Sequence, residues 1–198
     1  MGGRGPRSRV RDSRKTPRPC HATILTYMSI QVKIAALVAS DRLRAWHPAK
    51  GRPAKRRLYL TRQAWTDLMD ANSAVNLLGC RGYIESSLMR WTTGGLVYGD
   101  TKGRFLFRLD PPPPEVWEMR VTEPVVQARL FGRFAEADTL ILTGMFTRRL
   151  LGKKGSPEWR EAMVQTTTSW DGLFGLAPLF TGTTIHDYVK ENCDDFPI

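Results

Sequence analysis

The segment Val116–Arg149 limits the possible folds of this chain most strongly, because its pattern predicts three consecutive β-strands. Polar and apolar residues alternate along the first two strands, which indicates a sheet with one face packed against other elements. The third strand, TLILTGMF, is apolar on both sides, which is typical of a central strand covered on both faces. The short connector AEAD predicts an antiparallel hairpin between the second and third strands.

The two faces of this predicted sheet differ in charge. One face is expected to hold core residues, including Trp117 and Phe134, that pack against helices. The opposite face carries Arg120, Arg129 and Arg133, and the third strand leads into a second basic group that contains Arg148, Arg149, Lys153 and Lys154. Guanidinium groups bind phosphate bidentately and stabilise a phosphorane-like transition state without a metal ion. The structural alternative is that these arginines pair with Glu118, Glu123 and Glu136, or are simply solvated.

Amphipathic helices are predicted on both sides of this segment, which gives an α+β fold with a small antiparallel sheet packed against helices. Thr61 and Ser156 are the expected N-caps of two of them, and Pro157 occupies the first helical position of the later one. The side chains expected to face the core are Ala64, Trp65, Leu68, Met69, Tyr83, Ile84, Leu88, Trp91, Trp159, Met163 and Trp170. A short strand at 103–109, the stiff proline connector 111–114 and a last short helix near 183–192 complete this prediction.

Positive charge is concentrated at the N-terminus. Of the formal net charge of +11, residues 1–57 contribute +13 and residues 58–198 contribute −2. We expect a disordered basic arm at 1–27, a basic linker with one possible short element at 28–57, a core domain at 58–165 and a helical extension at 166–198. A basic arm is attracted to polyanions, and to nucleic acid above all. Two interpretations of the arm stay open, an unstructured leader and an RNA-tethering arm.

The cysteines and the hydropathy indicate a protein of the reducing cytoplasm. Cys20, Cys80 and Cys193 are odd in number and far apart, which favours neither a disulfide framework nor a zinc site. No apolar run approaches the 18 residues of a membrane-spanning helix, although a basic stretch before residues 24–40 weakly resembles a signal peptide. We therefore expect a cytoplasmic protein with no cofactor, no bound metal and no membrane partner.

The order and spacing of these elements resemble the RelE/HigB superfamily of bacterial toxins, and within it the phage-derived HigB-like branch. The matching segments are the strand Val116–Arg120, the strand Arg129–Phe134, the apolar strand Leu140–Leu142, Phe146 with Arg148 and Arg149, and the helix that begins at Pro157. Two predicted helices at 60–92 precede the sheet, as in the family. The resemblance covers roughly residues 58–165.

This resemblance implies a metal-independent endoribonuclease that cleaves mRNA, usually on the ribosome, and that a small cognate antitoxin holds inactive. The ribose 2′-OH would attack the adjacent phosphate, with Arg120, Arg129 and Arg148 as catalytic residues. The implied substrate-binding residues are Arg133, Arg149, Lys153 and Lys154, and Tyr188 and His186 are candidates for a C-terminal aromatic or histidine. The alternative is a module of a phage or mobile element that binds nucleic acid or protein on the same fold without catalysis, or that serves assembly only.

Overall fold

The computed structural model describes residues 21–98, 105–110, 114–122, 127–175, 177–196 and 198. Its strands are β1 (Leu43–Ala45), β2 (Arg57–Thr61), β3 (Leu106–Asp110), β4 (Val116–Thr122), β5 (Gln127–Glu136) and β6 (Thr139–Thr147). Its helices are α1 (His21–Ala39), α2 (Arg62–Met69), α3 (Ala74–Leu77), α4 (Arg81–Thr92), α5 (Arg148–Leu151), α6 (Pro157–Phe174) and α7 (Ile185–Tyr188). The α+β class is confirmed. Most of the predicted arm, residues 1–20, lies outside the described residues, and residues 21–27 belong to α1.

The strands form one six-stranded sheet with the order β1-β2-β6-β5-β4-β3. Neighbouring strands are antiparallel except β2 and β6, which run parallel with Leu58 opposite Leu140. The prediction of a small antiparallel sheet was therefore wrong in size and in type. The parallel pairing comes from β2, a strand that was not predicted. Residues 28–57, which were expected to be a linker, supply most of α1 and the edge strand β1. Ile34 and Leu37 of α1 are buried in the core, so this segment is part of the folded unit.

The first face of the sheet carries the larger part of the core. Trp117 and Phe134 are buried there, as predicted, and their rings pack edge to face with centroids 5.1 Å apart. Helices α2 and α4 cover this face through buried positions of their apolar stripes, such as Leu68 and Leu88. Tyr83 is the exception among the expected core residues, since 44% of it is exposed. It precedes the buried Ile84 on α4 and lies at the edge of the buried stripe.

The second face of the sheet, which was expected to carry the arginines, is also covered by helices. Helices α1 and α6 pack on it, and they bury Ile141 of β6 together with Trp170 of α6. Farther along α6, Trp159 packs against Phe131 with ring centroids 5.5 Å apart. The reason lies in the central strand β6, whose side chains are apolar on both faces and must be buried on both. The expected boundary at residue 165 falls inside α6.

The helix ends follow the sequence signals. The side chains of Thr61 and Ser156 accept hydrogen bonds from the backbone N–H groups of Ala64 and Trp159, so both predicted N-caps are confirmed. Asp138 turns the β5–β6 hairpin with a φ of 57°. Within the part of the chain that is described, no helix has the length and apolar character needed to cross a membrane.

Candidate functional site: an arginine cluster on the second face

Two of the predicted arginines share one carboxylate between the neighbouring strands β4 and β5. Arg120 and Arg129 lie directly opposite each other in the register, and Glu118 precedes Arg120 by two positions on the same face. Arg120 Nε and Arg129 Nε lie 3.0 Å and 2.6 Å from the same oxygen, Oε1 of Glu118. Arg120 Nη2 also donates to Oε2 at 3.1 Å. Glu118 is fully buried, so these guanidinium groups replace its lost hydration.

Arg129 is held in place by further hydrogen bonds. Its Nη1 donates to the carbonyl oxygens of Ala128 at 2.9 Å and Val121 at 3.3 Å. Burial lowers the pKa of the Arg129 guanidinium, Glu118 raises it in part, and Arg120 and Arg148 lower it further. An arginine keeps its proton at neutral pH despite such a shift. Arg129 is thus a fixed positive charge that is almost fully buried.

Arg148 lies close enough to Arg129 to affect its pKa. It stands at the start of α5, directly after β6, and its guanidinium carbon lies 5.4 Å from the centroid of the Trp159 ring. Among the described residues, no ion pair joins Arg148 to a carboxylate. The structure therefore brings the three predicted catalytic arginines into one neighbourhood. We call Glu118, Arg120, Arg129 and Arg148 the arginine cluster.

Phe107 of β3 extends this cluster toward the solvent. The guanidinium carbon of Arg120 lies 4.9 Å from the centroid of the Phe107 ring, and Nζ of Lys154 lies 4.8 Å from the same centroid. Lys154 therefore adds a cation beside the cluster, as its predicted substrate-binding role requires. Arg149 and Lys153 are exposed nearby in sequence, and no contact of either with the cluster is observed among the described residues.

Arg133, the remaining predicted substrate-binding residue, lies apart from the arginine cluster. It is buried, its Nη2 donates to the carbonyl oxygen of Pro114, and its Nη1 lies 3.8 Å from Oδ1 of Asp171 on α6. Burial lowers the pKa of Arg133, and the carboxylates that raise it again are Asp171 and Glu115. The geometry gives Arg133 a part in joining α6 to the sheet.

Tyr188 and His186 also lie away from the arginine cluster. Tyr188 is fully buried in the core of the first face, whereas the arginines lie on the second face. Its hydroxyl donates to the carboxylate of Glu115, and Glu115 forms an ion pair with Arg108. Burial raises the pKa of Tyr188 to about 12. His186 is exposed, with its Nδ1 3.8 Å from Sγ of Cys193.

The charges of the arginine cluster determine the chemistry that it can support. Its three guanidinium groups and one carboxylate leave an excess of two positive charges, which matches the dianionic phosphorane of a phosphodiester cleavage. Both carboxylate oxygens of Glu118 are engaged by guanidinium groups and the residue is fully buried, so it is not placed to take a proton from a substrate. In the described residues, no group of three or more His, Cys, Asp or Glu could hold a metal ion.

The alternative prediction, that the arginines pair with nearby glutamates, is partly confirmed by this geometry. Arg120 and Arg129 do pair with Glu118, while Glu136 pairs with Arg57 instead, and Glu123 lies outside the described residues. Phe107 and Trp159 were not predicted in the site, because Phe107 was placed only on a short strand and Trp159 was treated only as a core position. The signal for Phe107 was its place on a strand adjacent to β4, which sequence alone did not establish.

Comparison with known proteins adds no identification. Neither the family models nor the curated proteins nor the solved structures contain a match to this chain.

Proposed function

We propose that this protein is a metal-independent endoribonuclease toxin of the RelE/HigB-like type, which acts on mRNA in the cytoplasm and is neutralised by a small cognate antitoxin. The observation that carries the proposal is the arginine cluster, in which residues distant in sequence meet around one buried carboxylate with an excess of positive charge. The motif resemblance from Val116 to Pro157 supports the same function.

The two partly accessible arginines would contact the scissile phosphate. Arg120 uses Nε and Nη2 for Glu118, which leaves its Nη1 without an observed partner among the described residues. Arg148 has no hydrogen bond and no ion pair among the described residues, and its guanidinium lies beside Trp159. Arg129 is buried, with its Nε against Glu118 and its Nη1 on backbone carbonyl oxygens, so it would act by fixing Glu118 and, through it, Arg120. Lys154 would bind a neighbouring phosphate.

The cleavage step would be the attack of the ribose 2′-OH on the adjacent phosphorus, with departure of the 5′-oxygen of the next nucleotide. As the oxygens of the phosphorane gain negative charge, Arg120 and Arg148 would stabilise them electrostatically. The cluster itself offers no histidine and no accessible carboxylate for proton transfer. Water or a group of the ribosome would accept the 2′-OH proton, and water would protonate the departing 5′-oxygen, which leaves a 2′,3′-cyclic phosphate and a 5′-OH.

A second candidate function is an RNA-binding module without catalytic activity. The observation that favours it is the commitment of Arg129 and Glu118 to each other inside the protein, with no proton acceptor among the cluster residues. Such a module would still bind phosphate through Arg120, Arg148 and Lys154, with an affinity that falls as the salt concentration rises.

The test is cleavage of single-stranded RNA by the full chain with a chelator present, together with growth of a bacterial host after induction. Arg148→Ala should lower the cleavage rate by about 10²–10³, as the loss of one preorganised donor does. Arg81→Ala is the matched control, because Arg81 is an exposed arginine on α4, on the other side of the sheet. RNA binding without cleavage or growth arrest would favour the second candidate. Absence of both would rule out both functions.

A further inference from the structure

A cleft lined in part by Phe146, the residue opposite Arg129 in the β5–β6 register, belongs to no site discussed so far. It has a volume of about 680 Å³ and lies between α2, β6 and α6. It exists because β2 ends at Thr61, where the chain turns into α2, while β6 continues to Thr147. The space beside the last residues of β6 is thus open in the described structure, with one helix on each side.

Both helices place an amide beside a carboxylate in this cleft. On α2, Gln63 Nε2 donates to Oδ1 of Asp67 at 2.7 Å. On α6, Gln165 Nε2 donates to Oε1 of Glu161 at 3.5 Å. Each pair is spaced by four residues, so both side chains lie on the same side of their helix. The two walls therefore combine acceptors and donors of hydrogen bonds, whereas the arginine cluster presents donors alone.

The floor of the cleft connects it with the arginine cluster. Phe146 lines the cleft and lies directly opposite Arg129 in the β5–β6 register. The Phe146 ring lies over Gly144, and a Cβ atom at residue 144 would come within 2.9 Å of that ring. The absence of a side chain at Gly144 thus lets the ring lie flat and keeps the floor open. A nucleotide next to a phosphate bound at the arginine cluster would reach the cleft across Phe146.

We propose that this cleft binds the nucleobase next to the phosphate held by the arginine cluster and favours bases with an exocyclic amino group over uracil. The inference rests on the proposed function for the identity of its ligand, RNA. Carboxylates accept hydrogen bonds from the amino groups of cytosine, adenine and guanine, and glutamine binds adenine bidentately. Uracil presents mainly carbonyl oxygens, which Asp67 and Glu161 would repel.

The charge of the cleft explains why a base, and not the RNA backbone, would enter it. Asp67 and Glu161 are acidic, and none of the described residues that line the cleft is an arginine or a lysine. Phosphates are therefore directed to the cluster, and the neutral base is directed to the cleft. The Phe146 ring offers an apolar surface for the base to stack on, as aromatic residues do in single-strand recognition.

The test uses hexaribonucleotides of uridine in which one internal position is U, C, A or G, with affinity measured by fluorescence anisotropy and cleavage followed in parallel. The full chain should bind the C, A or G oligonucleotides at least about tenfold more tightly than the all-U one, which is the lower range of discrimination for one good base contact. Asp67→Asn with Glu161→Gln should abolish this preference, because amides also donate to uracil carbonyls. The affinity for the all-U oligonucleotide should be kept or raised, since two negative charges are lost.

Glu85→Gln is the control for the loss of a carboxylate, because Glu85 is a surface residue of α4 paired with Arg81. Asp67 accepts the backbone N–H of Met145, and an asparagine can still accept it, so the variant should fold. Equal affinities of the parent for all four oligonucleotides would overturn the inference, as would an unchanged preference in the double variant. Base preference without cleavage would support the inference while refuting the nuclease. A parent that binds no RNA would refute the proposed function and this inference with it.

Discussion

The protein buries an arginine–glutamate group on each face of its sheet, and the two groups differ in composition and in access to solvent. On the first face Arg108 and Tyr188 enclose Glu115, and all three side chains are buried. On the second face, the arginine cluster holds Glu118 with two arginines and has a third beside it. The first group is electrically balanced and closed, whereas the second has surplus positive charge and reaches the surface at Arg120.

This contrast separates structural ion pairs from a binding site. A buried ion pair by itself is weak evidence for function, because pairing is the condition for burying either charge. Glu115 meets that condition with one arginine and one hydroxyl. Positive charge that exceeds the negative charge and faces the surface has no such structural explanation. Of the two groups, only the arginine cluster has it. The number of unbalanced cations therefore distinguishes the candidate site better than burial does.

The largest expected effect on stability is at the closed group. Arg108→Ala should lower the free energy of unfolding by about 3–5 kcal/mol, because it leaves the carboxylate of Glu115 buried without a counter-ion. Urea denaturation followed by tryptophan fluorescence would measure it. The double variant Arg108→Met with Glu115→Leu should recover much of the loss, and a double variant as unstable as the single one would contradict this account.

Arg129→Ala should have the next largest effect on stability. It should lower the free energy of unfolding by about 3 kcal/mol, which is the low end of the range for breaking a buried ion pair. The loss is smaller than at Arg108 because Glu118 keeps its contacts with Arg120. Thermal and urea unfolding of the two alanine variants, side by side, would show the order. A larger loss at Arg129 than at Arg108 would refute the comparison.

The closed group should also respond to alkaline pH. The pKa of Tyr188 is raised to about 12 from an ordinary value of 10.0, so the folded state favours the neutral phenol. Its contribution is fully present below pH 10 and is lost as the pH rises toward 12, by at most about 3 kcal/mol. The difference in unfolding free energy between the parent and Tyr188→Phe, measured from pH 8 to 12, isolates this effect. A difference that does not shrink over that range would contradict the raised pKa.

The smallest expected effect on stability is at Arg148. Arg148→Ala should change the free energy of unfolding by less than about 0.5 kcal/mol, because its guanidinium contacts the Trp159 ring and no carboxylate among the described residues. The same change should weaken RNA binding and reduce the slope of log affinity against log salt by about one. A large loss of stability would place Arg148 with the structural arginines.

The sequence predicted the strands, their faces and the helix caps because each depends on local patterns. Alternation placed Trp117 and Arg129 on opposite faces, and Thr61 and Ser156 identified the starts of two helices. The sequence did not show what would cover the second face, since α1 is far from β6 along the chain. For the same reason the sequence did not show that Arg129 and Arg133 would be buried.

The candidate site was predictable in part. The grouping of Arg120, Arg129 and Arg148 follows from strand adjacency, which the short hairpin and the motif order indicated. The sequence did not show that Arg133 lies outside the arginine cluster, because this depends on its ion pair with Asp171 at the far end of α6. The cleft beside Phe146 also escaped prediction, since it arises where β2 stops short of β6, and strand ends are set by tertiary packing.

The parallel pairing of β2 with β6 has a consequence for synthesis of the chain. β6 lies between β2 and β5 in the sheet, so Leu58 of β2 stays unpaired until Leu140, about eighty residues later in the chain, has been synthesised. A nascent chain that ends before β6 therefore exposes two strand edges and most of its central core, a state prone to pair with other chains. We expect ribosome-bound chains to bind chaperones until β6 has left the exit tunnel, and truncations before Thr139 to be insoluble. Such a protein acquires its fold only after β6 has been synthesised.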